Sequence, residues 1–328
     1  SASIELDSIA SKVGLNLNLI GADLYALGQT EEKIKTGLQL SVIFFGNPSA
    51  YSLNAKINKG IAVYDNQQYQ MGNINLATKI DTISTDITID SDFLVGFLKS
   101  NASPKHIASA LTNQFKNYFN KSTQMISAAD SVKFIMDLKL YPFPILTEVF
   151  FRDVDQLDSV LVRADFDETT KVLNATLRVP SATYSGGSID SLMVLVKGDA
   201  TNLSFAAGLS SFLLDPINIK KTYVTGKLKN KKLLLDFSSL DGNEVAAHIA
   251  SELTLQSDTT HIQIKPSNLI FNKKEWAIPE DNEIKIAQNL IALNNVKLRR
   301  NTQELAFSNT VSGIEKEHLG VTFNNFKL

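Results

Sequence analysis

Four histidines, His106, His248, His261 and His318, are the side chains best suited to metal or proton chemistry. They are scattered, with no His-Glu-x-x-His and no His/carboxylate set at ligand spacing, so no metal site is expected. Asp153, Asp155 and Asp158 sit close enough to suggest calcium. They lack the Gly and the terminal Glu of an EF-hand loop, and a solvated connector accounts for them. Ser188 follows Gly186 and Gly187, but this is no Gly-x-Ser-x-Gly elbow; a hairpin turn explains the glycine pair. Neither glycine-rich phosphate motif occurs. With no cysteine in the chain, thiolate catalysis, disulfides and Cys-based zinc sites fall away together. The expectation is a non-enzyme without cofactor or metal.

Composition narrows the partners. The 328 residues carry 32 Lys and Arg against 34 Asp and Glu, a formal net charge of −2. There is no long run of one sign, so binding nucleic acid through its phosphates is not expected. At 44% hydrophobic residues the chain is globular rather than disordered. No stretch approaches the ~20 apolar residues that cross a bilayer, and no signal peptide opens the sequence. A soluble segment is the expectation. Gly and Pro, 16 and 8 residues, are scarce, which hints at long elements and few turns.

Alternation with period two dominates the chain and puts every second side chain on one face of a strand. Val132, Phe134, Met136, Leu138 and Leu140 form one such run. Val245, Ala247, Ile249, Leu253 and Leu255 form another. Val13 to Leu19, Leu38 to Phe44, Leu173 to Val179 and Leu319 to Phe323 repeat it. The intervening positions are rich in Asn, Ser, Thr and Lys, as in a sheet with one solvated face. Short polar connectors at 167–171, 185–188, 229–232, 241–244 and 257–260 read as hairpin turns between sequential strands. An antiparallel meander of about 18–22 strands is predicted, too large for a flat open sheet. No signature recurs at fixed spacing, which excludes a propeller or a leucine-rich solenoid.

One region departs from period two. Between Asp92 and about Ala129 the spacing predicts helix, with Ser103 as cap and Pro104 at the first helical position. Ile107, Leu111, Phe115 and Phe119 would share a face, widened by Tyr118 and Ser122. Asp92 to Lys99 is expected as a shorter preceding helix. Either the segment simply covers part of the sheet, or it plugs an apolar surface. The organisation expected is a β segment over 1–90, a helical segment packed on the sheet over 91–130, and a β segment over 131–328.

The last third carries a more specific pattern. FNKKEWAIPEDNEIKI places Trp276 two residues before Ile278, then Asn282, then alternating Ile284 and Ile286. QNLIALNNVKLRRNTQELAF and HLGVTFNNFKL follow, and LRVPSATYSGGSIDSLMVLV stands upstream. In this order the segments resemble the TamB family of AsmA-like envelope proteins (translocation and assembly module), in its Bacteroidota form. The resemblance runs from about residue 130 to 328. The sequence departs from the family at Arg299 to Thr302, where a Gly-containing turn is usual, and at Asn309, where Gly is common.

The resemblance implies a fold and a role. The fold is a long antiparallel meander curled lengthwise into an open apolar trough, of the β-taco kind. Such proteins are very long, are held in the inner membrane by an N-terminal helix, and meet an outer-membrane assembly barrel at the other end. This chain would be a middle or late segment. The expected location is the periplasm, and the expected cargo is phospholipid or another acyl-chain lipid. The candidate lipid-groove residues are Val132, Phe134, Met136, Leu138, Leu140, Val245, Ala247, Ile249, Leu253, Leu255, Ile284 and Ile286. Two alternatives stay open: a scaffold that pairs its sheet edge with nascent outer-membrane proteins, and a structural or adhesin β-protein without a groove. Alternation is the same in all three.

Overall fold

The computed structural model describes residues 1–5, 7, 10–119, 131–215, 217–256, 259–288, 290–309 and 318–326. Strands make up 66% of the chain and helix 7%. The first strands are β1 (Ala2–Glu5), β2 (Ser11–Asp23), β3 (Lys35–Asn47), β4 (Ala50–Tyr64), β5 (Gln67–Ile80), β6 (Thr85–Ser91) and β7 (Leu94–Ser100). Helix α1 (Pro104–Phe119) follows, then β8 (Lys133–Leu140), β9 (Val154–Leu157), β10 (Val160–Asp167), β11 (Val172–Tyr184), β12 (Gly187–Gly198) and β13 (Leu203–Leu209). Next are β14 (Ser211–Leu214), β15 (Ile217–Ile219), β16 (Thr222–Lys229), β17 (Lys232–Asp241), β18 (Glu244–Gln256), β19 (Thr259–Ile264), β20 (Ile270–Phe271) and β21 (Lys274–Glu275). The chain ends with β22 (Glu283–Ala287), β23 (Leu290–Asn294), β24 (Lys297–Arg300), β25 (Gln303–Ser308) and β26 (Gly320–Asn324).

All strands but the last three join one 23-stranded antiparallel sheet, and β24–β26 form a small second sheet. Neighbours in sequence are neighbours in space. The backbone ladder runs from β1 to β8, then through β10, β11, β12, β13, β16, β17, β18, β19, β22 and β23. The sheet stays open. The accessible surface of the whole chain is 20649 Å², against roughly 13,000 Å² for a compact chain of this mass. A sheet that curled onto itself as a packed core would not leave that excess.

Tight turns are numerous, contrary to the hint from scarce Gly and Pro. They use Asn and Asp instead. Asp65 and Asn66, Asn230 and Lys231, and Asn272 and Lys273 all take the left-handed φ that two-residue hairpins require. At Arg299 to Thr302, Asn301 (φ 52°) supplies that conformation without glycine.

The helical expectation for Asp92 to Lys99 is corrected to strand β7, which hydrogen-bonds to β6 and β8 on its two sides. The run LVGFL is apolar at every position, so periodicity could not separate helix from strand. Pairing decided it. Because β7 pairs with β8 across the helical insertion, the strands of 1–90 and those from β8 to β23 are one continuous sheet rather than separate β segments. Helix begins only at Pro104, where the Ser103 hydroxyl accepts the His106 N–H at 3.4 Å. Its buried face is Ala110, Gln114 and Tyr118, with Ile107 and Leu111 half-buried, while Phe115 is turned out. The side chain of Phe119 and all of Ser122 lie outside the described residues. A short π-helical turn at Leu146–Phe150, which the sequence did not suggest, places Ile145 and Val149 against Ile34 and Ala62.

Candidate functional site

The register places the alternating apolar positions in rows that cross the sheet. One row begins at Ala2 and continues through Leu15, Val42, Ala55, Leu76, Ile89 and Gly96 to Leu138. From Leu138 it passes through Val162, Leu177, Val194, Ala207, Val224 and Phe237 to Ile249. Every member is apolar and none is fully buried. At ~4.8 Å per strand the row is roughly 70 Å long, measured along the sheet.

Two more rows lie beside it on the same face, one and two residue pairs further along the strands. Val13, Phe44, Leu53, Ile87, Leu98, Met136, Ala164, Val196, Phe205 and Leu235 belong to the first. Phe134, Phe166, Leu173, Leu203, Leu228, Leu233, Leu253, Ile262, Ile284 and Leu293 belong to the second. Polar members of these rows are hydroxyl side chains such as Thr78, Thr85, Ser100 and Ser251; none is an acid or a base of the Asp, Glu, Lys, Arg or His kind. The opposite face holds the charges, in complementary cross-strand pairs: Arg163–Asp137 at 2.8 Å, Lys133–Asp167 at 2.9 Å and Lys232–Glu252 at 2.7 Å. The Lys232 hydrogen bond holds the Glu252 carboxyl below its usual range against the opposing effect of burial.

The apolar face has covered and open stretches. α1 lies over the row of Phe134, near the hairpin tips. Ala110 of the helix packs with Ala102, Val132, Phe166 and Leu173 in one buried cluster, and Tyr118 of the helix with Leu203 and Leu228 in another. Buried polar groups fix the helix: Gln114 donates to the Lys171 and Asp199 carbonyls at 3.2 Å each, and the Tyr118 hydroxyl donates to Asp199 at 3.0 Å. Burial pushes the Tyr118 phenol up. Two N–H groups and an amide at Thr201 and Asn202 hold the Asp199 carboxyl down to about 2. At the far end the small sheet covers the same face, with Trp276, Ile278, Leu269 and Val296 buried against Ile249, Ile264, Ile284 and Leu293. The Trp276 indole N–H donates to Phe271 at 3.1 Å, and its ring stacks on Phe326. Trp276 is a core anchor.

The predicted lining residues therefore divide. Met136, Leu138 and Leu140 lie on the open face of β8, and Ala247, Leu253, Leu255 and Ile286 are half-exposed or exposed on β18 and β22. Val132 precedes β8 and is buried under α1, where Phe134 also packs, 5.9 Å from the Phe166 ring. Ile249 and Ile284 pack beneath the small sheet. Val245 is a correction. A bulge at Ala246 pairs Val245 with Leu240 but Ala247 with Ser239. Adjacent residues of β17 point to opposite faces, so Val245 leaves the face that Ala247, Ile249 and Leu253 share. The sequence reading missed the β10–β13 and β2–β6 members of the open row, although the same alternation marks them.

The other chemically capable residues hold structure. The two ring nitrogens of His248 face acceptors, the Asn268 carbonyl (2.6 Å) and the Asp236 carboxylate (3.0 Å), while His261 meets Glu283 at 2.7 Å and His106 meets the Ser103 hydroxyl at 3.1 Å. Among the described residues no group of three or more His, Asp or Glu could hold a metal ion, and no helix is long and apolar enough to cross a membrane. Set against family models, curated proteins and solved structures, the chain matches none.

Proposed function

We infer that this chain is a segment of an envelope protein of the TamB type, and that its apolar face carries acyl-chain lipids between the inner and outer membranes. One observation carries this reading: a row of apolar, partly exposed side chains crosses the sheet from β1 to β18 without an ionisable group. Soluble proteins seldom leave apolar patches beyond a few hundred Å² uncovered, and larger ones mark a binding surface. Each buried CH₂ is worth ~0.8 kcal/mol, so a ~14-carbon chain gains roughly 10 kcal/mol against water. Ordering that chain and removing it from a bilayer cancel most of the gain. Shallow binding suits a conduit, because a tight site would hold its cargo. The work is transport, not catalysis.

A substitution in the open row tests this. Val194→Asp puts a charge where nothing can pair with it, on a surface already half in contact with solvent. The expected outcome is an unchanged β spectrum with lipid lost from the purified chain, measured by mass spectrometry of extracted lipids. A variant that carries lipid as well as the parent overturns the reading. Phe134→Asp is the weaker choice, since it would disrupt the docking of α1.

The edge strands favour a second reading, as a scaffold for outer-membrane proteins or for an assembly barrel. Among the described residues β1 pairs only with β2 and β26 only with β25, and all four residues of β1 are exposed. Unpaired edges are templates for added strands. The last edge of the large sheet is blunted, because the Asn309 side chain accepts the Leu293 N–H at 3.3 Å and donates to the Ile291 carbonyl at 3.1 Å. Cross-linking from Ser3 would trap a partner strand if the scaffold reading holds.

A further inference from the structure

Among the described residues Glu168 is the one buried acidic side chain, 6% exposed. It sits in the β10–β11 turn and lines a cleft of about 490 Å³ between α1 and the turn joining β5 to β6. One carboxyl oxygen accepts the Val132 N–H at 2.9 Å. Among the described residues no cation and no second hydrogen bond meets the group; Lys133, the nearest lysine along the chain to Val132, is paired with Asp167. The other carboxyl oxygen is not a buried orphan but opens onto the cleft, where something that brings a positive charge and donors can meet it.

The rest of the cleft says what that something is. Ala102 and Val132 give it an apolar floor continuous with the cluster under α1, and Ile83, 74% exposed, stands at its edge. Asn113 of α1 lines it with an amide whose carbonyl can accept another N–H. A small, multiply donating cation on a short apolar stem satisfies all of these groups. We propose that this cleft binds a primary ammonium group through Glu168, and that the group belongs to the headgroup of a lipid whose acyl chains lie on the apolar face.

The proposal rests on the lipid-carrying reading for the source of the ammonium, and the test separates the two. The purified chain is exchanged against vesicles of equal phosphatidylethanolamine and phosphatidylglycerol, and the lipid retained is quantified by mass spectrometry. The parent should retain the ethanolamine lipid in excess. Glu168→Gln, which keeps an acceptor for the Val132 N–H, should lower that excess about three- to tenfold with total lipid unchanged, the worth of one charge-assisted hydrogen bond at a half-open site. Asp86→Asn, on the charged face, should leave it as it is. Equal retention of both lipids, or the same excess in parent and Glu168→Gln, overturns the ammonium site while leaving the groove intact. If neither lipid is retained, the groove reading fails. Free ethanolamine titrated by NMR then decides the site alone: shifts in parent but not in Glu168→Gln uphold it with a free amine as ligand, and no shifts overturn it.

Discussion

The stretch of apolar face under α1 and the stretch over β1–β7 are built from the same kinds of side chain in the same register, yet one is core and the other is surface. Phe166 and Leu228, beneath the helix, are 2% and 1% exposed, whereas Leu17, on the same sheet face, is 37% exposed. Nothing in the strands themselves distinguishes them. The difference is whether another element lies on top, and that depends on where the chain spends a helix. An apolar strand face is therefore only a capacity to be buried. Whether it becomes core or a binding surface is settled by coverage.

The contrast breaks most sharply in paired truncations. Phe166→Ala should cost about 3–4 kcal/mol, the transfer loss plus the cavity left under the helix. Leu17→Ala should cost less than ~1 kcal/mol, because water already reaches that side chain. Urea titrations followed by circular dichroism check both; equal losses would mean that the open face is packed in solution.

A smaller effect sharpens the role of the helix. Gln114→Ala leaves the Lys171 and Asp199 carbonyls without one of their donors at a buried contact, and should destabilise α1 by about 1–2 kcal/mol. Hydrogen exchange should accelerate in 104–119 and stay unchanged in β2–β5. Gly198→Ala should act in the same way, since an added Cβ would stand 2.4 Å from the Tyr118 hydroxyl oxygen.

The smallest effect concerns the charged face. The Asn268 carbonyl, opposed by burial and aided by the Asp236 carboxylate, pushes the His248 imidazole above its ordinary pKa. A raised folded-state value means the contribution is complete below the unfolded pKa of about 6.5 and is lost as pH rises through the folded value. Melting temperature should therefore fall slightly between pH 5.5 and 8.5, and His248→Gln should remove that component. Reversal of the sign would show that the imidazole is held neutral.

Much of this was legible in advance. Val13 to Leu19, Leu173 to Val179 and Met136 to Leu140 announce their faces by strict alternation with polar neighbours, so the apolar side of each strand follows from the residues alone. Ser103 and Pro104 mark the start of α1 for reasons local to the first turn. Leu94 to Leu98 could not be read in this way, because a run apolar at every position has no period. The bulge at Ala246 was equally invisible: one extra residue on β18 matters only relative to its partner β17. The helix face was misjudged at Phe115 because Gln114, a polar residue, turned out to be buried by the hairpin carbonyls it meets.

By itself the sequence determined that this chain is a meander of antiparallel strands with one apolar and one charged face. Those outcomes depend on side-chain alternation and turn chemistry, both encoded within a few residues. Tertiary structure alone decided which part of the apolar face is covered, that the sheet stays open, and that Glu168 is buried without a cation. Each of these depends on contacts between residues tens to hundreds of positions apart, such as Gln114 with Asp199 and Val132 with Glu168. No local pattern carries that information, because the same alternating strand is equally stable under a helix, under a second sheet or against a lipid chain.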